Sequence, residues 1–238
     1  MNRILKLTAA ACVAVFFANN SIADNEGISI GVWGSQFDID TYGSEKQPYT
    51  VGGTEVDQTS TNISKSVDVG SLFLEYTAAQ GSSIGIEYYP GEATLGNVSR
   101  TDTCVCQAAA AADGGATSAT YTAKADVTDI WSVYMEPTVM FNDTFGVYGK
   151  VGVTSLYVKS LESLSNGTIS STYPNADIWG AFYGLGLKAR HSSGLFLKLE
   201  TSITEFQSIK LQSLSGNKGR IDADLDVQST RLALGYTF

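Results

Sequence analysis

Apolar and polar positions alternate along much of the chain, most cleanly in its last eight residues, Arg231 to Phe238. Leu232, Leu234, Tyr236 and Phe238 share one parity; Arg231, Ala233, Gly235 and Thr237 share the other. Successive side chains of a strand point to opposite faces, so this segment predicts a strand with one greasy face and one small or charged face. The same period of two recurs upstream. Segments 27–37, 65–78, 83–89, 125–140, 146–159, 178–190 and 195–206 read as strands, with Ile28, Ile30 and Val32, or Leu195, Leu197 and Leu199, on the apolar side. With the terminal segment they make eight.

The connections alternate in length. Short turns are expected at 80–82, at Asn142-Asp143 and at 191–194, and long polar loops at 38–64, 90–124, 160–177 and 207–219. Pro90-Gly91 opens the longest of these, which holds the alanine run 108–112 and Gly114-Gly115. This is the rhythm of an all-β, eight-stranded antiparallel up-and-down barrel with both termini and the short turns on one side and four long loops on the other.

The opposite parity carries charge: Glu75, Glu87, Glu136, Lys150, Lys188, Arg190, Lys198, Glu200 and Arg231. If the Leu, Val and Tyr faces meet lipid, four acids and five bases point inward near mid-barrel. An eight-stranded barrel is just wide enough for side chains to fill, so a plugged interior is expected rather than an open channel. Gly152, Gly180, Gly184, Gly186 and Gly235 share the inward parity and are expected to make room for the long charged side chains. Ala233 should tolerate polar change better than Leu234.

Composition sharpens the picture. Arg3 and Lys6, an apolar run over 7–18 and the small-x-small site Ser21-Ile22-Ala23 mark residues 1–23 as a secretory signal peptide and 24–238 as the mature barrel domain. The run is shorter than the roughly 20 residues of a spanning helix. Loss of the two basic residues takes the formal net charge from −9 to −11, so nucleic acid is not an expected partner. Cys12 leaves with the leader. Cys104 and Cys106 could pair in an oxidising compartment, although an i, i+2 bridge is strained, and no further ligands nearby suggest a metal. No cofactor is expected.

Chemistry-bearing constellations are thin. His191, Ser193 and Glu205 supply the residue types of a hydrolytic triad, faintly resembling outer-membrane lipid A deacylases, yet Glu205 lies about twelve residues up the strand from the turn, tens of ångströms away. Asp38, Asp40 and Gly43 suggest a calcium loop, but Tyr42 and Tyr49 occupy ligand positions. Asp222, Asp224 and Asp226 form a ladder whose facing a bulge could swap. No catalytic or metal residues are assigned.

The leader, the strand pattern and the terminal LALGYTF together resemble the small outer-membrane β-barrel family of OmpA-like transmembrane domains, opacity-type surface antigens and porin-family proteins. The resemblance implies a bacterial outer-membrane, cell-surface location reached through the periplasm. It also implies that Leu234, Tyr236 and Phe238 form an assembly signal read by the barrel assembly machinery. Expected partners are outer-membrane lipid and lipopolysaccharide and an extracellular ligand of the long loops, with the protein a monomer. The functions in view, in order, are a non-enzymatic structural or adhesive surface barrel, a narrow pore or carrier for small solutes, and a lipid-modifying enzyme.

Overall fold

The computed structural model describes residues 26–51, 54–102, 119–164, 173–214 and 219–238. The expected signal peptide, Cys104 and Cys106 lie outside them. Eleven strands follow in chain order: β1 (Gly27–Val51), β2 (Thr54–Thr77), β3 (Ser83–Tyr89), β4 (Ala93–Asp102), β5 (Ala119–Glu136), β6 (Thr138–Met140), β7 (Phe145–Leu164), β8 (Ala176–Arg190), β9 (Leu195–Phe206), β10 (Ile209–Gln212) and β11 (Arg220–Thr237). They make eight staves. Pro90 separates β3 from β4 and Pro137 separates β5 from β6, because proline has no amide hydrogen for the ladder. β9 and β10 are parted at Gln207 and Ser208.

The staves close into an antiparallel barrel: β1 pairs with β2 and β11, β2 with β3, β3 with β5, β5 with β7, β7 with β8, β8 with β9 and β9 with β11. Its lower outer surface is a continuous apolar belt. Ile28, Ile30, Val32, Leu72, Leu74, Ile84, Ile86, Leu185, Leu187, Leu197, Leu199, Leu232 and Leu234 are all exposed there. Along β9 the belt runs from Leu195 to Ile203, about 26 Å of strand at ~3.3 Å per residue. Tilted by about 40°, that gives roughly 20 Å of height, most of the ~25 Å apolar band of an outer-membrane barrel. Trp131 and Trp179, in edge contact with centroids 5.2 Å apart, and Tyr88 mark its outward rim; Tyr76, Tyr236 and Phe238 mark the other.

The described residues of 38–64, a segment expected as a loop, are strand instead: β1 keeps pairing with β2 from Gly27↔Thr77 to Lys46↔Gln58 and with β11 to Lys46↔Arg220. The expected connections 90–124 and 207–219 likewise contain β4, the start of β5, and β10. Above the belt the barrel wall divides. One sheet carries β10, β11, β1 and β2; the other carries β4, β5, β7 and β8. Between them lies an apolar core of Ile39, Leu95, Val127, Leu156, Val158, Tyr173, Ile178, Ile209, Leu211 and Leu225. Tyr173 also donates to Glu45 at 3.0 Å. Thus one strand parity is apolar in the belt and polar above it, while the inward parity does the reverse.

β11 needs no bulge for this, since its register against β1 is continuous. Asp224 and Asp226 face out and Leu225 faces in. β5 does need one: Asp129 has φ 52 and the β5–β7 register shifts between Thr128 and Trp131. The extra residue swaps facing, so Val127 enters the core although it shares parity with outward Trp131.

Candidate functional site: a charge layer beneath an apolar cavity

All nine inward charges of the sequence reading are buried. Eight of them meet in two adjoining groups. Toward the short-turn end, Lys198 Nζ donates to both oxygens of Glu75 at 2.8 and 2.9 Å and to Glu136 at 2.9 Å. Lys188 lies 3.9 Å from Glu136 and donates to the Gly81 carbonyl at 3.1 Å, while Tyr134 donates to Glu75 at 2.9 Å. In the second group Arg231 is paired with Glu87, and with Glu200 at 3.3 Å. Lys150 stands 3.7 Å from Glu87 and 3.4 Å from Glu200. Ser71 donates to Glu87, Arg231 Nε donates to Ser35 at 3.0 Å, and Tyr148 donates to Glu200 at 3.1 Å.

Arg190 stands apart from both groups, its Nε donating to the Asp143 carbonyl at 3.0 Å in the neighbouring turn. The layer is therefore four carboxylates against four bases, a neutral set. Buried ions need such pairing, because desolvation outweighs the attraction between them when a partner is missing.

Aromatic rings complete the seal. Trp33, Phe73 and Phe196 pack with Ala233. Lys150 Nζ sits 4.0 Å from the Tyr134 ring centre and 4.8 Å from that of Trp33, and Arg231 lies 4.4 Å from Trp33, distances at which the ring faces attract the cations. The inward glycines accommodate rings more than charges, contrary to expectation. A Cβ at Gly186 would lie 2.3 Å from Tyr148, one at Gly235 2.3 Å from Phe196, one at Gly152 2.6 Å from Phe182 and one at Gly180 2.7 Å from Phe206. Only Gly184 departs, facing Ser202. A flat ring lying across the wall needs the whole volume of a missing side chain, whereas a lysine threads past small residues. Below the charges, Thr237, Ser29, Thr77 and Ser83 form a buried chain of hydroxyls linked at 2.9 to 3.1 Å.

Above the charges lies a cavity of about 400 Å³. Arg231, Thr154, Ser202 and Ser229 border its floor, and Phe37, Val67, Val127, Leu156, Phe206 and Val227 are among its walls. Sequence reading missed it. Phe37, Val67, Val127, Leu156 and Phe206 all fall in segments expected as strands, but the periodicity of each strand does not show that these residues converge.

The other candidates are dispersed. His191 Nδ1 and Ser193 Oγ are 2.9 Å apart in the exposed turn, while Glu205 accepts from Tyr183 at 3.2 Å near the outward end of β9. Asp40 accepts from Ser64 at 2.5 Å and Asp38 from Ser66, both across the straight β1–β2 ladder. No cluster of three metal-ligating side chains occurs among the described residues. Leu234, Tyr236 and Phe238 all face outward on the closing strand, where Phe238 N donates to the Ile28 carbonyl at 2.9 Å.

No protein-family model matches the chain, and no curated protein matches it by sequence. Solved structures do resemble it. The outer membrane protein OprG of Pseudomonas aeruginosa aligns over 90% of this chain and 98% of its own with a TM-score of 0.50 at 12% identity. Ail, the attachment invasion locus protein of Yersinia pestis, aligns over 87% and 99% with a TM-score of 0.34 at 12% identity. The outer membrane protease OmpT of Escherichia coli aligns over 92% and 99% with a TM-score of 0.32 at 12% identity. The shared feature is the fold, a small outer-membrane β-barrel, which agrees with the lipid-facing belt.

Proposed function

We propose that the chain is a sealed structural or adhesive surface barrel whose work is done by its outward projection. The observation that carries this is the continuation of the ladder beyond the belt on top of a closed floor. From Gly34 to Lys46, β1 stays paired on both sides, about 40 Å of strand at ~3.3 Å per residue. Two sheets with their own apolar core hold that projection rigid within the lipopolysaccharide layer, and the neutral charge layer keeps ions from crossing. The scaffold thus presents its connecting segments to an extracellular ligand without leaking. His191 and Ser193 lie in an exposed short turn and Glu205 near the outward end of β9, so these three residues are not brought together.

Planar-bilayer recording of the purified protein tests the seal, with no steady conductance expected. Replacing residues 103–118 by a short Gly-Ser link tests the projection. Cells displaying that variant should lose attachment to host-cell monolayers while the purified barrel keeps its melting temperature. Porin-like steady currents from the intact protein would replace this reading with the narrow-pore alternative.

A further inference from the structure

The barrel wall is not continuous. β2 and β3 pair from Thr77↔Ser83 up to Leu72↔Tyr88, and there the ladder ends. Beyond it β2 is paired with β1 alone and β4 with β5 alone. The local sequence accounts for the break: Pro90 has no amide hydrogen to offer β2, and Gly91 takes φ 108, turning the backbone away. The two free edges meet again higher up. Lys65 Nζ donates to the Thr94 carbonyl at 3.1 Å, and Ile63 lies against Gly96, where a Cβ would come within 3.0 Å of its Cδ1.

These contacts frame a window. Its sill is the Leu72–Tyr88 pair and its lintel is Lys65–Thr94, about 23 Å apart along β2 at ~3.3 Å per residue. The sill belongs to the outward rim of the apolar belt, so the window starts at the lipid boundary. The apolar cavity reaches it: Asp68 and Gly70, which face out of the barrel, line the cavity together with Pro90, Gly91 and Glu92.

Downward, the same cavity ends on the paired charges. A space with apolar walls, sealed below and open sideways at a lipid boundary, favours a ligand that water excludes and the membrane concentrates. We propose that the cavity binds a small apolar molecule of one or two rings or a comparable short hydrocarbon chain, drawn laterally from the outer leaflet through the β2–β4 window, and that Lys65 latches that window. Apolar cavities of roughly 150 Å³ stay dry and take a benzene-sized guest, and pockets from about 300 Å³ hold larger ligands. The hydroxyls of Thr154, Ser202 and Ser229 at the floor would let the guest carry one polar group. This activity is independent of adhesion by the projection.

The test uses 4-fluorotoluene and ¹⁹F NMR on the full mature chain in lipid nanodiscs, with empty nanodiscs as the reference for partitioning. A bound signal is expected, and Val227→Trp, which fills the cavity from its wall, should remove it. Thr204→Trp does the same from the neighbouring strand, where Thr204 pairs with Val227, should the first variant fail to fold. Lys65→Met should speed exchange of the bound probe severalfold with little change in occupancy. Joining Lys65→Cys to Thr94→Cys with a short bismaleimide, in a Cys104→Ser, Cys106→Ser background, should slow exchange at least tenfold. Absence of a bound signal, or one that survives both tryptophan variants, overturns the binding site; unchanged exchange in the joined protein overturns the window.

Discussion

Arg231 on β11 and Glu87 on β3 are 144 positions apart in the sequence and paired face to face inside the lumen. Arg231 also reaches Glu200, its ladder neighbour on β9. One guanidinium therefore serves two carboxylates from different walls, as its fork of donors allows. Arg231→Ala leaves both acids dependent on Lys150 and should lower stability by about 3 to 5 kcal/mol, less whatever water entering the gap restores. Urea unfolding in detergent measures the loss. Bilayer recording of the same protein should show current where the parent shows none. Loss of neither stability nor closure would mean that the charges are not the plug.

Leu234 faces lipid, so Leu234→Arg should cost roughly 2 to 4 kcal/mol near the membrane midplane. Its neighbour Ala233 is not the tolerant position that parity alone suggests. It is buried against Trp33, Phe73 and Phe196, and Ala233→Gln should cost about 1 to 3 kcal/mol through overpacking. Equilibrium folding into vesicles compares the two directly. Ala233→Gln within 0.5 kcal/mol of the parent, an ordinary surface value, would contradict the packed aromatic layer.

Phe238 closes the barrel through the hydrogen bond that its amide donates to the Ile28 carbonyl, and its ring lies 5.0 Å from that of Tyr236. Deleting it should lower the amount of barrel reaching the membrane while export continues, with unfolded chain accumulating in the periplasm. Fractionated cells probed for heat-modifiable mobility report both pools. An undiminished membrane pool would remove the terminal residue from assembly.

Asp226, outward and above the belt, has its carboxyl pushed upward by partial burial first and then by Glu205, Asp224 and Asp40. A raised folded-state value means that protonation favours the fold: the benefit is present below the ordinary carboxylate range and is lost as pH rises through the folded value. Asp226→Asn should therefore raise the melting temperature slightly at neutral pH and leave it unchanged near about pH 3. An equal gain at both pH values would assign the effect to something other than charge.

The belt strands were legible because lipid imposes a strict alternation on residues such as Leu195, Leu197 and Leu199. The inward charges were legible for the same reason, being the other half of that pattern. The upper strands were hidden by a change of solvent that, on β1 and β11, comes without a change of register. On β1 the outward residues run Ile28, Ile30 and Val32 and then Gln36, Asp38 and Asp40, so a window spanning both halves averages to no pattern. The cavity needs residues from all eight staves at once, and the window depends on Pro90 and Gly91 standing beside Asp68 and Gly70. Nothing local in the sequence marks those meetings.

The division into two sheets above the belt gives one molecule two thermal behaviours. Its upper core is held by apolar burial from water, a force that weakens on cooling. The belt gains little from that force, since its outer face stays in hydrocarbon, and depends on closed ladders and paired charges. Chilling should therefore loosen the top before the bottom. Amide exchange at Ile39, Leu156 and Leu225 should quicken relative to Glu75, Lys150 and Lys198, and a protein that is rigid in the warm would stand ajar in the cold.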